Sequence, residues 1–157
     1  MGRRSTKENK NYYQILREEN KMTRSDASRA MVFMSESRIE KIESEKCEPQ
    51  PDEIMAMAKA YRKPSLCNYY CSQKCPIGIQ QIPVVKESHL SQIVLGMLAA
   101  LNALERQKER LIEIAADGDI SEDEALDFEN IQKQLNQISL AVQELQLWQE
   151  NKKNEGS

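Results

Sequence analysis

The sequence predicts an all-α protein: an N-terminal domain of four to five short helices, then a long, coiled-coil-like antiparallel helical hairpin. Three observations predict it. Apolar residues recur at steps of three and four through most of the chain. Gly and Pro number only five each among 157 residues while 30% of residues are charged, a balance that suits helices. Phe128, Ile131, Leu135, Ile138, Val142 and Leu145 keep strict heptad spacing. With an aromatic fraction of 5%, the core must be built from Leu, Ile, Met and Ala.

Residues 1–10 lack apolar periodicity and form a basic, flexible arm, in which Arg3, Arg4 and Lys7 are placed to touch phosphates or enter a minor groove. Met1-Gly2 with Thr6 fits the loose myristoylation pattern, but nothing downstream supports a membrane role. A first helix runs from Asn11 to about Asn20, on the spacing of Tyr12, Ile15, Leu16 and Glu19, with Ile15 and Leu16 inward. Thr23 caps a second, with Asp26 as its reciprocal acid and Ala27, Ala30 and Met31 buried. Ser35 caps a third, whose inner face is Ile39 and Ile42. Pro49-Gln50-Pro51 breaks the chain. A fourth helix, about Asp52 to Arg62, turns Ile54, Met57, Ala58 and Tyr61 inward before Pro64 ends it.

Residues 67–87 form a cysteine-containing segment and linker. Cys67, Cys71 and Cys75 are four apart, which puts three thiols along one helical face. Three soft ligands so placed suit zinc or an iron–sulfur cluster, with Cys47 or His89 as a fourth. The same residues serve equally as small apolar side chains covering the core with Leu66, Tyr69 and Tyr70, or as a redox-switched disulfide. Ile77 to Val85 reads as extended linker.

Residues 88–150 form the hairpin. Ser88 caps its first helix, to about Ala116, with a seam at Leu90, Val94, Met97, Leu101, Leu104, Lys108, Leu111 and Ala115. Asp117-Gly118-Asp119 turns the chain. Ser121, with Glu124, caps the second helix, which runs to about Gln149 on the heptads above. Each helix is roughly 42 Å long. Second stripes, Ile93, Ala100 and Ile114 on one helix and Leu126, Leu140, Leu147 and Trp148 on the other, need a partner: a second hairpin, giving a homodimer joined as a four-helix bundle, or the helix-turn-helix of the same chain. Residues 151–157 form a disordered tail.

Net charge is −3, but it is unevenly spread. Residues 1–63 hold 14 Lys/Arg and 11 Asp/Glu, whereas residues 88–157 hold 6 and 13. The basic front is where a nucleic acid would bind. The longest apolar run, Ile93 to Leu101, is far short of the ~20 residues a membrane span needs, and no secretory signal is visible, so a cytoplasmic protein is expected. A single His, no Gly-rich phosphate loop and no Ser/His/Asp set argue against an enzyme.

LREENKMT (Leu16–Thr23), SESRIEKIESEK (Ser35–Lys46) and PQPDEIMAMAKAY (Pro49–Tyr61) resemble the Xre/phage-repressor family of helix-turn-helix regulators. The resemblance covers about residues 12–66, so the helix-turn-helix domain is taken as 11–66. Arg24 stands where that family usually has Gln and Lys21 where it has Gly, and the turn Val32-Phe33-Met34 is a residue longer. The resemblance implies a homodimer on double-stranded DNA, binding a pseudo-palindromic operator as a transcriptional regulator. Its reading helix is Ser35–Lys46. It implies base contacts from Glu36, Ser37 and Lys41, with Ser35 and Arg38 beside them, and a phosphate contact from Arg24. Thr23 and Arg17 would add backbone contacts, and Glu43 would be structural. Such a helix presents its N-terminal side chains to base edges in the major groove. Ser37 suits either kind of base, Lys41 a guanine and Glu36 a cytosine amino group. Two other functions fit the same residues. One is a protein-interaction adaptor that keeps the fold without binding DNA, which the glutamates at 36, 40, 43, 45 and 48 favour. The other is a metal- or redox-sensing regulator acting through Cys67, Cys71 and Cys75.

Overall fold

The computed structural model describes residues 9–116 and 118–156. The arm residues Arg3, Arg4 and Lys7, the Met1-Gly2-Thr6 pattern and Asp117 of the turn lie outside them. The described residues are helical, without strands, and the chain divides into two compact units, Met1–Val84 and Val85–Ser157.

The first unit holds α1 (Tyr12–Glu19), α2 (Arg24–Met31), α3 (Glu36–Glu43), α4 (Pro51–Ala60), α5 (Ser65–Gln73) and α6 (Pro76–Gln81). Side chains placed for the purpose start the first three. Asn11 Oδ1 accepts from Gln14 N at 3.0 Å, and its Nδ2 donates to the Ile42 carbonyl at 2.8 Å, tying α1 to the end of α3. Thr23 and Asp26 form the expected reciprocal cap, and Ser35 Oγ accepts from Arg38 N at 3.2 Å. Three helices end alike. After Asn20, Ser44 and Tyr61 come Lys21, Glu45 and Arg62, each with φ between 50° and 59°. The next amide then folds back, as Met22 N to the Arg17 carbonyl, Lys46 N to Lys41 and Lys63 N to Ala58. This left-handed ending usually falls to glycine. Here a lysine, a glutamate and an arginine take it.

The core is Leu16, Ala27, Met31, Met34, Ile39, Ile42, Ile54, Met57, Ala58, Tyr61 and Leu66, with Tyr13. Two expectations are corrected. Tyr13 is buried and Ile15 exposed, because α1 turns its Tyr13–Leu16 edge inward. Ala30 is exposed, leaving Ala27 and Met31 as the buried stripe of α2.

The cysteine segment is helical, and its first part covers the core as one of its readings expects. α5 seats Leu66 in the core, with Tyr69 and Tyr70 packed against it, and α6 folds back on α5. Gly78 makes that return possible: a Cβ there would lie 1.9 Å from the Cys71 carbonyl oxygen. The expected extended stretch from Ile77 begins only at Ile82, past the end of α6.

The second unit holds α7 (Leu90–Arg106), α8 (Lys108–Ala115) and α9 (Ala125–Glu155). The first two lie along the third. His89, not Ser88, starts α7, through a reciprocal cap with Gln92. The expected single helix breaks at Gln107. The inward heptad runs 93, 100, 107 and 114, so a glutamine falls where an apolar residue is wanted between Ala100 and Ile114. Its Oε1 is buried without a hydrogen-bond partner among the described residues. Ser121 and Glu124 pair as expected, Oγ to Oε2 at 2.8 Å, one turn before α9 begins. α9 itself runs on to Glu155, past the expected end near Gln149 and through most of the tail.

On α7 and α8 the stripes are exchanged. Ile93, Ala100 and Ile114, expected to face a second copy, are the buried ones of α7 and α8. Leu90, Val94 and Leu101, expected in the seam, are exposed on its flank. On α9 Ile131 of the expected seam is buried, together with Ala141 and Leu147, while Leu135 and Val142 of that seam are exposed.

Candidate nucleic-acid interface

α3 is held at both ends by ion pairs. At its C-terminal end the Glu43 carboxylate is fully buried. It accepts from Arg17 Nε at 2.6 Å and Nη2 at 3.0 Å, and from Arg24 Nε at 2.9 Å. The remaining Arg17 nitrogen, Nη1, donates to the Met22 carbonyl at 2.7 Å. Burial lowers the Arg17 pKa, but the Glu43 hydrogen bond and charge outweigh it and hold the guanidinium above its ordinary value. At the other end Arg38 forks onto Glu53 of α4, Nε to Oε1 at 2.7 Å and Nη2 to Oε2 at 2.8 Å. It also donates from Nη1 to Cys47 Sγ at 2.9 Å and from Nη2 to the Glu48 carbonyl at 3.2 Å. The Arg38 hydrogen bond, with help from Gln50 N, holds the Glu53 carboxyl below the usual carboxylate range against the opposing effect of burial.

These clamps sort the residues that the sequence nominates. Arg17 is buried with its fork spent inside the fold, so it is unavailable to a phosphate. Arg38 is likewise a staple between α3, α4 and their loop, not a side chain held out to bases. Thr23 and Ser35 use their hydroxyls as caps. Arg24 shares one nitrogen with Glu43 and keeps a third of its side chain outward at the start of α2. Glu36, Ser37 and Lys41 are exposed together on the outer face of α3, with Glu40 between them. The Arg38–Glu53 staple was hidden in the sequence, since nothing in a lone arginine shows that its donors are satisfied within the chain.

The turn between α2 and α3 is strained. Val32 has φ 59° and ψ −52°, and Phe33 N donates to the Met31 carbonyl at 2.6 Å. That is a γ-turn of the disfavoured hand, with a β-branched residue at its centre. Val32 is 89% exposed and Phe33 61%, so burial of their own side chains does not offset the strain. The turn does drop Met34 into the core, where its carbonyl accepts from Ser28 Oγ at 2.7 Å. For glycine this conformation carries no steric cost. Val32→Gly is therefore expected to stabilise the first unit by about 0.5–2 kcal/mol, strain relief less the entropy of a glycine. A urea midpoint equal to or below that of the parent chain would refute the strain.

The cysteines are not gathered. All four are half-buried thiols, and no three His, Cys, Asp or Glu side chains among the described residues are grouped to hold a metal. The zinc or iron–sulfur alternative at Cys67, Cys71, Cys75 and Cys47 is thus not assembled among the described residues. Cys47 sits instead by Arg38, lining a cleft of about 370 Å³ with Tyr12, Tyr13, Glu48 and Tyr69.

Comparison of the chain with protein-family models, curated proteins and solved structures finds no match. What the coordinates define is the class: an all-α chain of two helical units, the first presenting one short, doubly clamped helix. No described helix is long and apolar enough to cross a membrane.

Proposed function

We propose that the chain is a sequence-specific DNA-binding regulator of Xre type, acting as a cytoplasmic homodimer on a pseudo-palindromic operator. One observation carries the reading. Glu43 and Glu53 hold α3 near its two ends while Glu36, Ser37 and Lys41 stay exposed on its outer face, as a helix that must enter a groove at one angle requires. Arg24, at the start of α2 and partly outward, is the natural phosphate contact, since that helix end also favours an anion. Selecting bound fragments from a random duplex pool, at several salt concentrations, tests this. Enrichment of a palindromic sequence, with affinity falling steeply with salt, is expected. Lys41→Ala should then relax preference at one position per half-site, by about 1–3 kcal/mol of discrimination. Arg24→Ala should weaken all sites alike and flatten the salt slope by about one. An unchanged preferred sequence in Lys41→Ala would refute this placement of α3.

A second reading is an interaction adaptor that does not bind DNA. The exposed Glu36 and Glu40, and the Val32–Phe33 pair beside them, favour it. It is the reading left if no sequence is enriched.

A further inference from the structure

The second unit buries little of its own apolar surface. Among its described residues the buried apolar side chains are Ile93, Ala100, Ile114, Ile131, Ala141 and Leu147, two of them alanines. One face of the hairpin stays apolar and open. Arg110 Nε donates to Asp127 Oδ2 at 2.7 Å near the turn, which sets the antiparallel register. In that register Leu101 lies level with Leu135, and Val94 with Val142. Each pair is one heptad from the other on its helix, so the four side chains form two rungs on one face. All are half open, at 41% for Val94, 42% for Leu101, 45% for Leu135 and 43% for Val142.

Charge marks the same zone. Residues 88–157 carry 13 acidic and 6 basic side chains, yet there is none from Leu90 to Leu104 and none from Gln134 to Gln143. These two blocks face each other in the register above. A surface meant for water would not be cleared of charge at the same level on both helices. Loss of charge at the centre is what a protein interface selects.

We infer that this face, with Val94, Leu101, Leu135 and Val142 at its centre, is where a second copy of the chain docks, two hairpins closing a four-helix bundle across a two-fold axis. The inference deepens the dimeric part of the function proposed above and rests on that reading. Two helices use one seam to hold each other. A helix in a four-helix bundle meets two neighbours and needs a wider stripe, and α9 has one: 131, 138 and 145 inward, 128, 135 and 142 on the flank. The area also suits a second copy. α7 is about 25 Å long and the pair of helices about 20 Å wide, which gives roughly 500 Å² per copy and about 1,000 Å² in all. That is where specific interfaces begin. The opposite face differs, being a cleft of about 360 Å³ among Gly96, Ala99, Gln134, Gln137 and Glu144.

Sedimentation equilibrium of the full chain, without DNA, tests this. The parent chain should sediment as a dimer. Val94→Glu with Val142→Glu should raise its dissociation constant at least about a hundredfold while circular dichroism keeps the helix content. Ala99→Glu, which places the same charge in the cleft on the other face, should leave the dimer intact. A monomeric or larger parent species overturns the inference without any variant. So does a dimer that survives the double change or is lost to Ala99→Glu. None of these readings depends on DNA, so failure to find an operator leaves the interface standing, and failure of the interface leaves DNA binding to be judged by selection.

Discussion

Replacing Glu43 by glutamine is expected to cost the first unit about 3–5 kcal/mol, the usual penalty for leaving a buried charge without its partner. The carboxylate takes three hydrogen bonds from two guanidinium groups and has no exposed surface of its own. A glutamine of the same volume keeps one acceptor oxygen and turns an amide donor toward a donor. Arg17, itself buried, would then keep its charge with the Met22 carbonyl and the more distant Glu18 carboxylate, 3.9 Å away, in place of its fork onto Glu43. Because Arg17, Arg24 and Glu43 come from three different helices, the loss should loosen α1 and α2 from α3 together. All five tyrosines lie in the first unit and the sole tryptophan, Trp148, in the second, so urea unfolding followed separately by tyrosine and tryptophan emission assigns the loss. A fall of under about 1 kcal/mol in the tyrosine transition would mean that the pair is open to water and worth no more than a surface bridge. Changing both partners, Arg17→Met with Glu43→Leu, should recover much of the loss, since an apolar pair needs no desolvation.

The contrast between the two units explains what could be read from the sequence. In α2, α3 and α4 each helix carries one narrow apolar stripe and an unambiguous start. Thr23 with Asp26, Ser35 and Pro51 therefore give the boundaries, and Ala27, Met31, Ile39, Ile42, Ile54, Met57 and Tyr61 give the core. α1 is only eight residues long, and at that length Tyr12-Tyr13-Gln14-Ile15-Leu16 fits two inward faces. Packing beneath Tyr69 decides for Tyr13, whose ring meets that of Tyr69 edge-on at 6.2 Å. Helix ends were harder, because Lys21, Glu45 and Arg62 take a backbone conformation that only glycine or asparagine would have announced. In the hairpin the apolar stripe is wider than one seam, and periodicity alone does not say which edge of it faces the partner helix. The exposed candidates of the site, Glu36, Ser37 and Lys41, were legible as positions on a helix. The inward duty of Arg17 and Arg38 was not, because it depends on carboxylates 26 and 15 residues away.

Leu66→Ala is the second large effect, expected at about 2–5 kcal/mol in the tyrosine transition. Leu66 is fully buried in a cluster drawn from α1 to α4 and stands directly before the cysteine segment. Deleting three of its carbons costs their transfer from water and leaves a cavity that the close packing of the cluster keeps from collapsing. Ile77→Ala, in α6 of the same segment, removes as many carbons from a side chain that is mostly in solvent, and should change stability by less than about 0.5 kcal/mol. The difference between the two isolates burial from composition. If the costs were equal, α5 would be an appendage of the first four helices. If Leu66→Ala alone is costly, the three cysteines beyond it are carried on the core itself. Any chemistry at Cys71 or Cys75 would then act on the unit that holds α3, because α5 cannot shift without opening the cluster that Ile39 and Ile42 share with Leu66.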